Sequence, residues 1–346
     1  MYTLGTKEER KAKENVLKNM IPGVLFTFVI AIVAYILGSF FPILGGAIIG
    51  ILLGAFINNF FTIPTSYLNG IDFVLKRILK LAIILLGFSF QFNQILEVGK
   101  SSIVIVLVSV FSGLIFTYYI GKLFGLRGNT SLLIGSGTAI CGSTAIVTIS
   151  PIIKAKEEEL TYAVNTIFAF NVLAILFYPI IANILNMSDA YFGIWAGAAI
   201  HDTSSVVAAG YAYSDEAGDI SVVVKLVRTL MLIPLALFVA IGYSLRLKKN
   251  KVDANAEKVK LHKIFPYFIL VFVGVAIINT VFNIPSSITD SLGWLAKLLI
   301  VMVMVSVGLK TDLKKIKNVG FKPLLVGLLA SVLIGVISIS LIYLLV

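Results

Sequence analysis

Gly137-Thr-Ala-Ile-Cys-Gly-Ser-Thr-Ala-Ile146 is a run of small and hydroxyl-bearing residues in an otherwise apolar chain. Sixty positions later the chain reads Gly197-Ala-Ala-Ile-His-Asp-Thr-Ser-Ser-Val206. Neither run fills a core well, and neither suits contact with lipid tails. Small residues let backbones approach closely. Hydroxyls hold something polar. The two matched runs therefore decide how the rest of the chain is read.

Around them the composition is that of an integral membrane protein. Of 346 residues, 59% are hydrophobic and 13% charged, with a mean hydropathy of +1.02. A soluble domain has about 45–50% apolar and about 25% charged residues. Apolar runs long enough to cross as helices, which takes about 20 residues each, fall at about 22–42, 43–61, 78–96, 102–124, 160–186, 220–246, 264–284, 291–309 and 321–346. The small-residue segments occupy about 131–151 and 191–211. The fold class expected is an all-α polytopic membrane protein of about 9–11 membrane segments. The domain reading is a charged cytoplasmic leader (1–20), an N-terminal transmembrane part (21–246), a basic cytoplasmic loop (247–263) and a C-terminal transmembrane part (264–346).

The net charge of +11 is unevenly placed. Lysine and arginine gather at 7–18, 76–80, 122–127, 246–263 and 310–322, whereas the loops near 43, 187–190, 212–219 and 285–290 have none. That is a positive-inside pattern, with the N-terminus in the cytoplasm. It argues against nucleic acid as a partner. The N-terminal Lys7-Glu-Glu-Arg-Lys-Ala-Lys13 precedes no cleavage signal. The lone Cys141 excludes an intramolecular disulfide, and with two histidines it excludes the usual clustered zinc motifs. No P-loop is present.

The chain repeats itself. Gly87 to Gly99 aligns without gaps with Gly308 to Gly320, matching Ile95 with Ile316 and Val98 with Val319. The two small-residue runs align likewise, pairing Ser143 with Thr203 and Thr144 with Ser204. Internal symmetry of this kind marks many secondary transporters. If both small segments re-enter from opposite sides, Lys154 and Lys156 lie inside, the lysine-free 187–190 loop lies outside, and the repeats are inverted. A crossing helix broken at its middle fits the same length. In either form, Gly135, Gly137 and Gly142 favour a break in the first segment. Gly193, Gly197 and Asp202 favour one in the second.

A broken helix offers free N–H groups at the start of its second half, and these attract anions. Cys141, Gly142, Ser143 and Thr144, with Thr203, Ser204 and Ser205, are the candidate substrate-binding residues. Lys225 and Arg228 lie three apart within an apolar span, so they share a face. They read as an anion site or as counter-charges to Asp202. Asn165 is the repeat equivalent of Lys225, and Asn171 lies farther along the same span. His201 and Asp202 are the candidate ion-coupling pair, for a proton or sodium ion. No other cofactor is expected. The ladder Gly46-x3-Gly50-x3-Gly54 is a packing face, within the chain or in a homodimer.

The runs from Gly137 and from Trp195 to Gly210, together with Pro151-Ile-Ile-Lys-Ala155 and Val224-Lys-Leu-Val-Arg228, resemble the YeiH family. These are bacterial inner-membrane proteins of the UPF0324 group, described as sulfate exporters. The resemblance covers about 25–346. It implies a carrier built like the bile-acid-type sodium symporters, with core and panel domains. Two departures are visible: Ser205 stands where the family commonly has Gln, and the charged N-terminus lies outside the shared motif. The expectation is a secondary active transporter, in the exporting direction, for a small anion such as sulfate or an organosulfonate. The alternatives are ion-coupled transport of an organic carboxylate or other small solute, a channel, and, more remotely, an intramembrane hydrolase using Ser143 or Ser204 with His201. A carrier is not an enzyme, and the lipid bilayer is its standing partner.

Overall fold

The computed structural model describes residues 7–41, 45–126, 128–249, 264–314 and 319–346. Among them every regular element is helical. The helices are α1 (Lys7–Phe40), α2 (Gly45–Phe60), α3 (Thr65–Phe73), α4 (Leu79–Leu86), α5 (Phe92–Leu123), α6 (Thr130–Ser136), α7 (Ser143–Ile152), α8 (Glu157–Ile184), α9 (Asp189–Ala199), α10 (Thr203–Tyr213), α11 (Asp215–Leu230), α12 (Leu232–Lys249), α13 (Tyr267–Phe282), α14 (Ser286–Lys310) and α15 (Phe321–Leu345). A π turn at Val74–Ile78 joins α3 to α4, and another at Gly137–Cys141 extends α6.

Six stretches are long and apolar enough to cross a membrane: Met20–Phe40, Phe92–Leu123, Glu157–Ile184, Asp215–Leu245, Ser286–Lys310 and Phe321–Leu345. Large apolar side chains such as Val29, Phe111, Ile115 and Val332 are more than half exposed along them. A contiguous outward apolar surface of this kind is covered by lipid rather than water. The chain is a multi-pass, all-helical membrane protein. The first six residues of the charged leader, and 250–263 of the basic loop, lie outside the described residues.

Some boundaries move relative to the sequence reading. The span placed at 78–96 runs instead from Thr65 through the π turn and α4 to a short 3-10 turn ending at Ser89. The next helix begins at Phe92, ten residues earlier than expected. Polar Gln91, Asn93 and Gln94 hid that start, yet Gln94 Oε1 accepts the Gln91 backbone N–H at 3.0 Å and caps it. The span placed at 220–246 is interrupted at Met231. Pro234, three residues on, has no N–H to offer the Leu230 carbonyl.

The chain divides into two units. The first comprises Met1–Ser89 and Pro285–Asp312, the second Phe90–Ile284 and Leu313–Val346. Of the three changes of unit, those after Ser89 and after Asp312 fall within four residues of Gly87 and Gly308, the paired glycines of the repeat. That repeat also extends farther back than the sequence reading took it. Pro64 and Pro285 keep the same offset as Gly87 and Gly308, and each stands at the N-cap of the following helix.

In the first unit the glycine ladder packs on α14. A Cβ on Gly54 would lie 2.3 Å from the Val305 carbonyl, and one on Gly50 would lie 3.3 Å from that of Val301. The ladder is therefore engaged within the chain, and it gives no support to a homodimer. Asn58 and Asn59 donate to the Thr311 carbonyl at 3.1 and 2.9 Å. Lys310 pairs with Asp72 at 2.7 Å. These contacts bind the α2, α3 and α14 ends together.

Candidate functional site

The site lies in the second unit, where both small-residue segments are broken. In the first, the Gly142 N–H bonds the Gly137 carbonyl at 2.9 Å, closing a π turn. Gly142 then takes φ 63° and ψ −132°, a backbone open essentially to glycine alone. The wide π turn leaves the carbonyls at 138–140 unclaimed by the helix. In the second segment, α9 ends at Ala199, Ile200 and Asp202 are extended, and α10 starts at Thr203.

Only one of the expected glycines makes a break. Gly135 and Gly137 lie inside the first half-helix, and Gly193 and Gly197 lie inside α9. Their role is close approach. A Cβ on Gly193 would sit 2.7 Å from Ile220 Cβ, and one on Gly197 would sit 2.6 Å from Val224 Cβ, both on α11. The break in the second segment comes from Asp202. Its carboxylate Oδ2 accepts the Ser204 N–H at 3.0 Å and also the Ser204 hydroxyl. Such a cap favours starting a new helix over continuing the old one.

The two breaks touch. A Cβ on Gly142 would be 3.2 Å from Asp202 Cβ and 3.3 Å from Asp202 Oδ1. Asn171, buried on α8, accepts the Asp202 N–H at 3.1 Å.

Lys225 and Arg228 are fully buried. They do not run to the interface, and among the described residues neither pairs with a carboxylate. Lys225 Nζ donates to the carbonyls of Ile140 and Ile200, both at 2.8 Å, and to that of His201. Arg228 donates from Nε to Ala139 at 2.7 Å, from Nη1 to Ile200 at 3.0 Å, and from Nη2 to Thr138. The acceptors are the orphan carbonyls at the ends of the two first half-helices, where a cation also matches the helix dipole. Ile140 and Ile200 are repeat equivalents, so Lys225 joins the two segments at matched points. All three of its donors are engaged, and its ammonium has none left to grip a ligand directly.

His201 is buried with both ring nitrogens partnered. Nδ1 lies 3.1 Å from the Thr138 carbonyl and Nε2 lies 2.8 Å from Ser331 Oγ on α15. Neither Ser143 nor Ser204 bonds the ring; Ser204 turns to Asp202. The sequence reading passed over Ser331, although it is a lone hydroxyl in the apolar run from Pro323 to Ile337. In the sequence Trp195 stands out only as part of a motif. Its Nε1–H reaches the Gly335 carbonyl at 2.9 Å, and its ring stacks on Tyr178 at 4.3 Å. The hydrogen bond fastens α9 to α15, and the ring contact fastens it to α8.

Access differs among the candidates. Cys141, Gly142, Ser204 and Ser205 are buried, while Ser143, Asp202, Thr203 and Asn165 are half-buried and Thr144 is exposed. Ser205 Oγ is buried with no hydrogen-bond partner among the described residues. No side chain caps the N-terminus of α7, whereas Asp202 fills that of α10. Asp202 is also close enough to Lys225 to act on it electrostatically. Two buried basic side chains, Lys225 and Arg228, stand against the one carboxylate of Asp202. The half-helix ends, about +0.5 at each N-terminus and −0.5 at each C-terminus, cancel among themselves.

Comparison with known proteins fits this architecture. A family model described as conserved hypothetical protein 698 matches residues 22–327. A UPF0324 membrane protein of Clostridium tetani is 39% identical over 332 residues, covering 93% of this chain and 96% of the relative. The chain belongs to the UPF0324 family of membrane proteins. A UPF0324 relative from Fusobacterium nucleatum is 36% identical over 345 residues, covering 94% of this chain and 98% of its own. One from Streptococcus agalactiae is 36% identical over 332 residues, covering 94% and 96%. The family-model match spans both broken segments and the Lys225/Arg228 helix.

Proposed function

We propose that the protein is a secondary carrier for a small anion, with sulfate or an organosulfonate as the first class to test. The observation that carries this reading is the contact of two matched, broken helices at Gly142 and Asp202, with the buried basic side chains of Lys225 and Arg228 behind them. Irregular backbone at membrane depth is tolerated where it lines a cavity or is buried in protein. Matched broken helices are the usual substrate site of secondary transporters.

The anion sits at the uncapped N-terminus of α7, on the backbone N–H groups and hydroxyls of Ser143 and Thr144. Thr203 and Asn165, both half-buried, complete its shell. Lys225 and Arg228 act from behind: they hold the half-helices in place and supply the field, without touching the anion. The carrier lies in a bacterial cytoplasmic membrane with its N-terminus inside, as the lysine distribution favours. A hydrolase is disfavoured because the hydroxyl nearest His201, that of Ser331, lies mid-helix. The backbone N–H groups around it are engaged in the helix, so no oxyanion hole is at hand.

The test is flux in proteoliposomes. Radiolabelled sulfate should enter saturably, and unlabelled sulfate loaded inside should accelerate entry. Flux that rises linearly with concentration, without counterflow, would make the protein a channel. Counterflow with a carboxylate but not with sulfate would move the substrate to that class.

A further inference from the structure

His201 has a donor and acceptor arrangement that accommodates two protonation states without moving a heavy atom. The Thr138 carbonyl can only accept, so Nδ1 carries a hydrogen. Ser331 Oγ lies 2.8 Å from Nε2 and 2.7 Å from the Gly327 carbonyl one turn back. It has a single hydrogen to give. With a neutral ring, Ser331 donates to Nε2. With a protonated ring, Nε2–H donates to Ser331, and the hydroxyl turns to Gly327. Ser331 is also only partly buried, although His201 is fully so. It is the visible link between the ring and the surface of the unit, eleven residues into α15.

The charged groups facing the ring are Arg228, which shares the Thr138 carbonyl; Lys225, which holds the His201 carbonyl; and Asp202, next along the chain. Cys141 and Tyr178 are titratable groups beside the same cations. From α15 the ring meets Ser331. A positive charge on the ring is opposed by the Arg228 guanidinium, which shares the Thr138 carbonyl with it. An anion at the α7 N-terminus, beside Gly142 and Asp202, offsets that opposition.

We propose that His201 is a proton-binding site, reached through Ser331, whose proton uptake at Nε2 is thermodynamically linked to binding of an anion at the start of α7. The inference rests on the anion reading above and makes the carrier a proton–anion symporter. The proton enters at Ser331 and passes to Nε2 by exchange of hydroxyl and ring hydrogens. It leaves by the same route when the anion departs. By reciprocity, each ligand strengthens the other by one factor.

The chain has one other histidine, His262. A His262→Asn protein labelled with nitrogen-15 histidine therefore gives the signal of one ring. Without added anion, NMR should show a neutral ring with its hydrogen on Nδ1 at pH 8, taking a second proton at Nε2 on acidification. A ring carrying its hydrogen on Nε2, or one that never takes a second proton at any pH where the fold survives, overturns the proton site. Sodium sulfate is then titrated by calorimetry at several pH values. Affinity should rise about tenfold per unit fall in pH across the range where the ring titrates. In His201→Gln, which keeps an amide donor and acceptor, sulfate should still bind, with that slope gone.

Sulfate binding without a pH slope in the wild type overturns the linkage while leaving the anion reading intact. A slope that persists in His201→Gln moves the proton to another group, Asp202 first, and also overturns it. No sulfate binding, with a ring that titrates as described, overturns the anion reading alone and supports the proton site.

Discussion

Gly142 and Asp202 are repeat equivalents that touch each other, Asp202 Cβ lying 3.2 Å from where a Gly142 Cβ would be. A residue that meets its own equivalent marks the point where two related segments cross. The chain places its least tolerant backbone on one side of that point and its helix-capping carboxylate on the other.

The backbone at Gly142 gives the first prediction. Gly142→Ala forces a side chain into a conformation that costs about 1–3 kcal/mol and presses a β-carbon on Asp202. A clear fall in melting temperature in detergent is expected. Gly242→Ala is the control, because a Cβ there meets nothing within 4 Å. It should raise stability by about 0.5–1 kcal/mol, the ordinary helix preference. Equal behaviour of the two variants would remove the special role of Gly142.

Lys225 and Arg228 hold backbone carbonyls, so their loss should unfold rather than merely unload the site. Lys225→Met strands the buried carbonyls of Ile140 and His201, while that of Ile200 keeps Arg228, and a loss of roughly 2–4 kcal/mol is expected from unmet hydrogen bonds. Arg228→Met strands the Ala139 carbonyl alone, because Thr138 keeps His201 and Ile200 keeps Lys225, so a smaller loss of about 1–3 kcal/mol is expected. Both losses should appear in anion-free buffer. Variants as stable as the wild type without anion, but no longer stabilised by it, would instead make these residues ligand-binding.

Asp202 separates capping from charge. Asp202→Asn keeps an acceptor for the Ser204 N–H and should leave thermal stability nearly unchanged. Asp202→Ala loses the cap and about 1 kcal/mol. If Asp202→Asn is the more damaging variant for folding, the negative charge rather than the cap organises the break.

The glycine ladder makes a prediction about assembly. Gly54→Val places carbon where the Val305 carbonyl already lies. It should lower the melting temperature while leaving the mass of the purified particle, measured by light scattering, unchanged. A change in mass with stability preserved would put the ladder at a subunit boundary.

Much of this architecture is legible in the residues. Small and hydroxyl-bearing runs stand out from apolar sequence, and their offset pairs Gly142 with Asp202 and Ile140 with Ile200 before any coordinates are known. The partners of Lys225 and Arg228 are not legible. Their acceptors are backbone carbonyls, and every residue has one of those. The breaking residues are only half legible, because a glycine at a break and a glycine at a helix contact read alike. Gly193 and Gly197 are the second kind; only α11 lying against them shows it. Ser331 is a milder case. A lone serine in an apolar helix signals something, but nothing local says that the something is His201, 130 positions away.

The central claim is that Thr144, exposed at the uncapped start of α7, faces an aqueous anion site. Cys141 is the sole cysteine, so a Cys141→Ala background carrying Thr144→Cys has one thiol, placed at that site. The measurement is its rate of modification in sealed vesicles by a charged, membrane-impermeant methanethiosulfonate, with and without sulfate. The account predicts modification, slowed severalfold by sulfate at concentrations that saturate transport. A thiol that reacts only with apolar, membrane-soluble reagents, at a rate indifferent to sulfate, would put Thr144 against lipid and contradict the site.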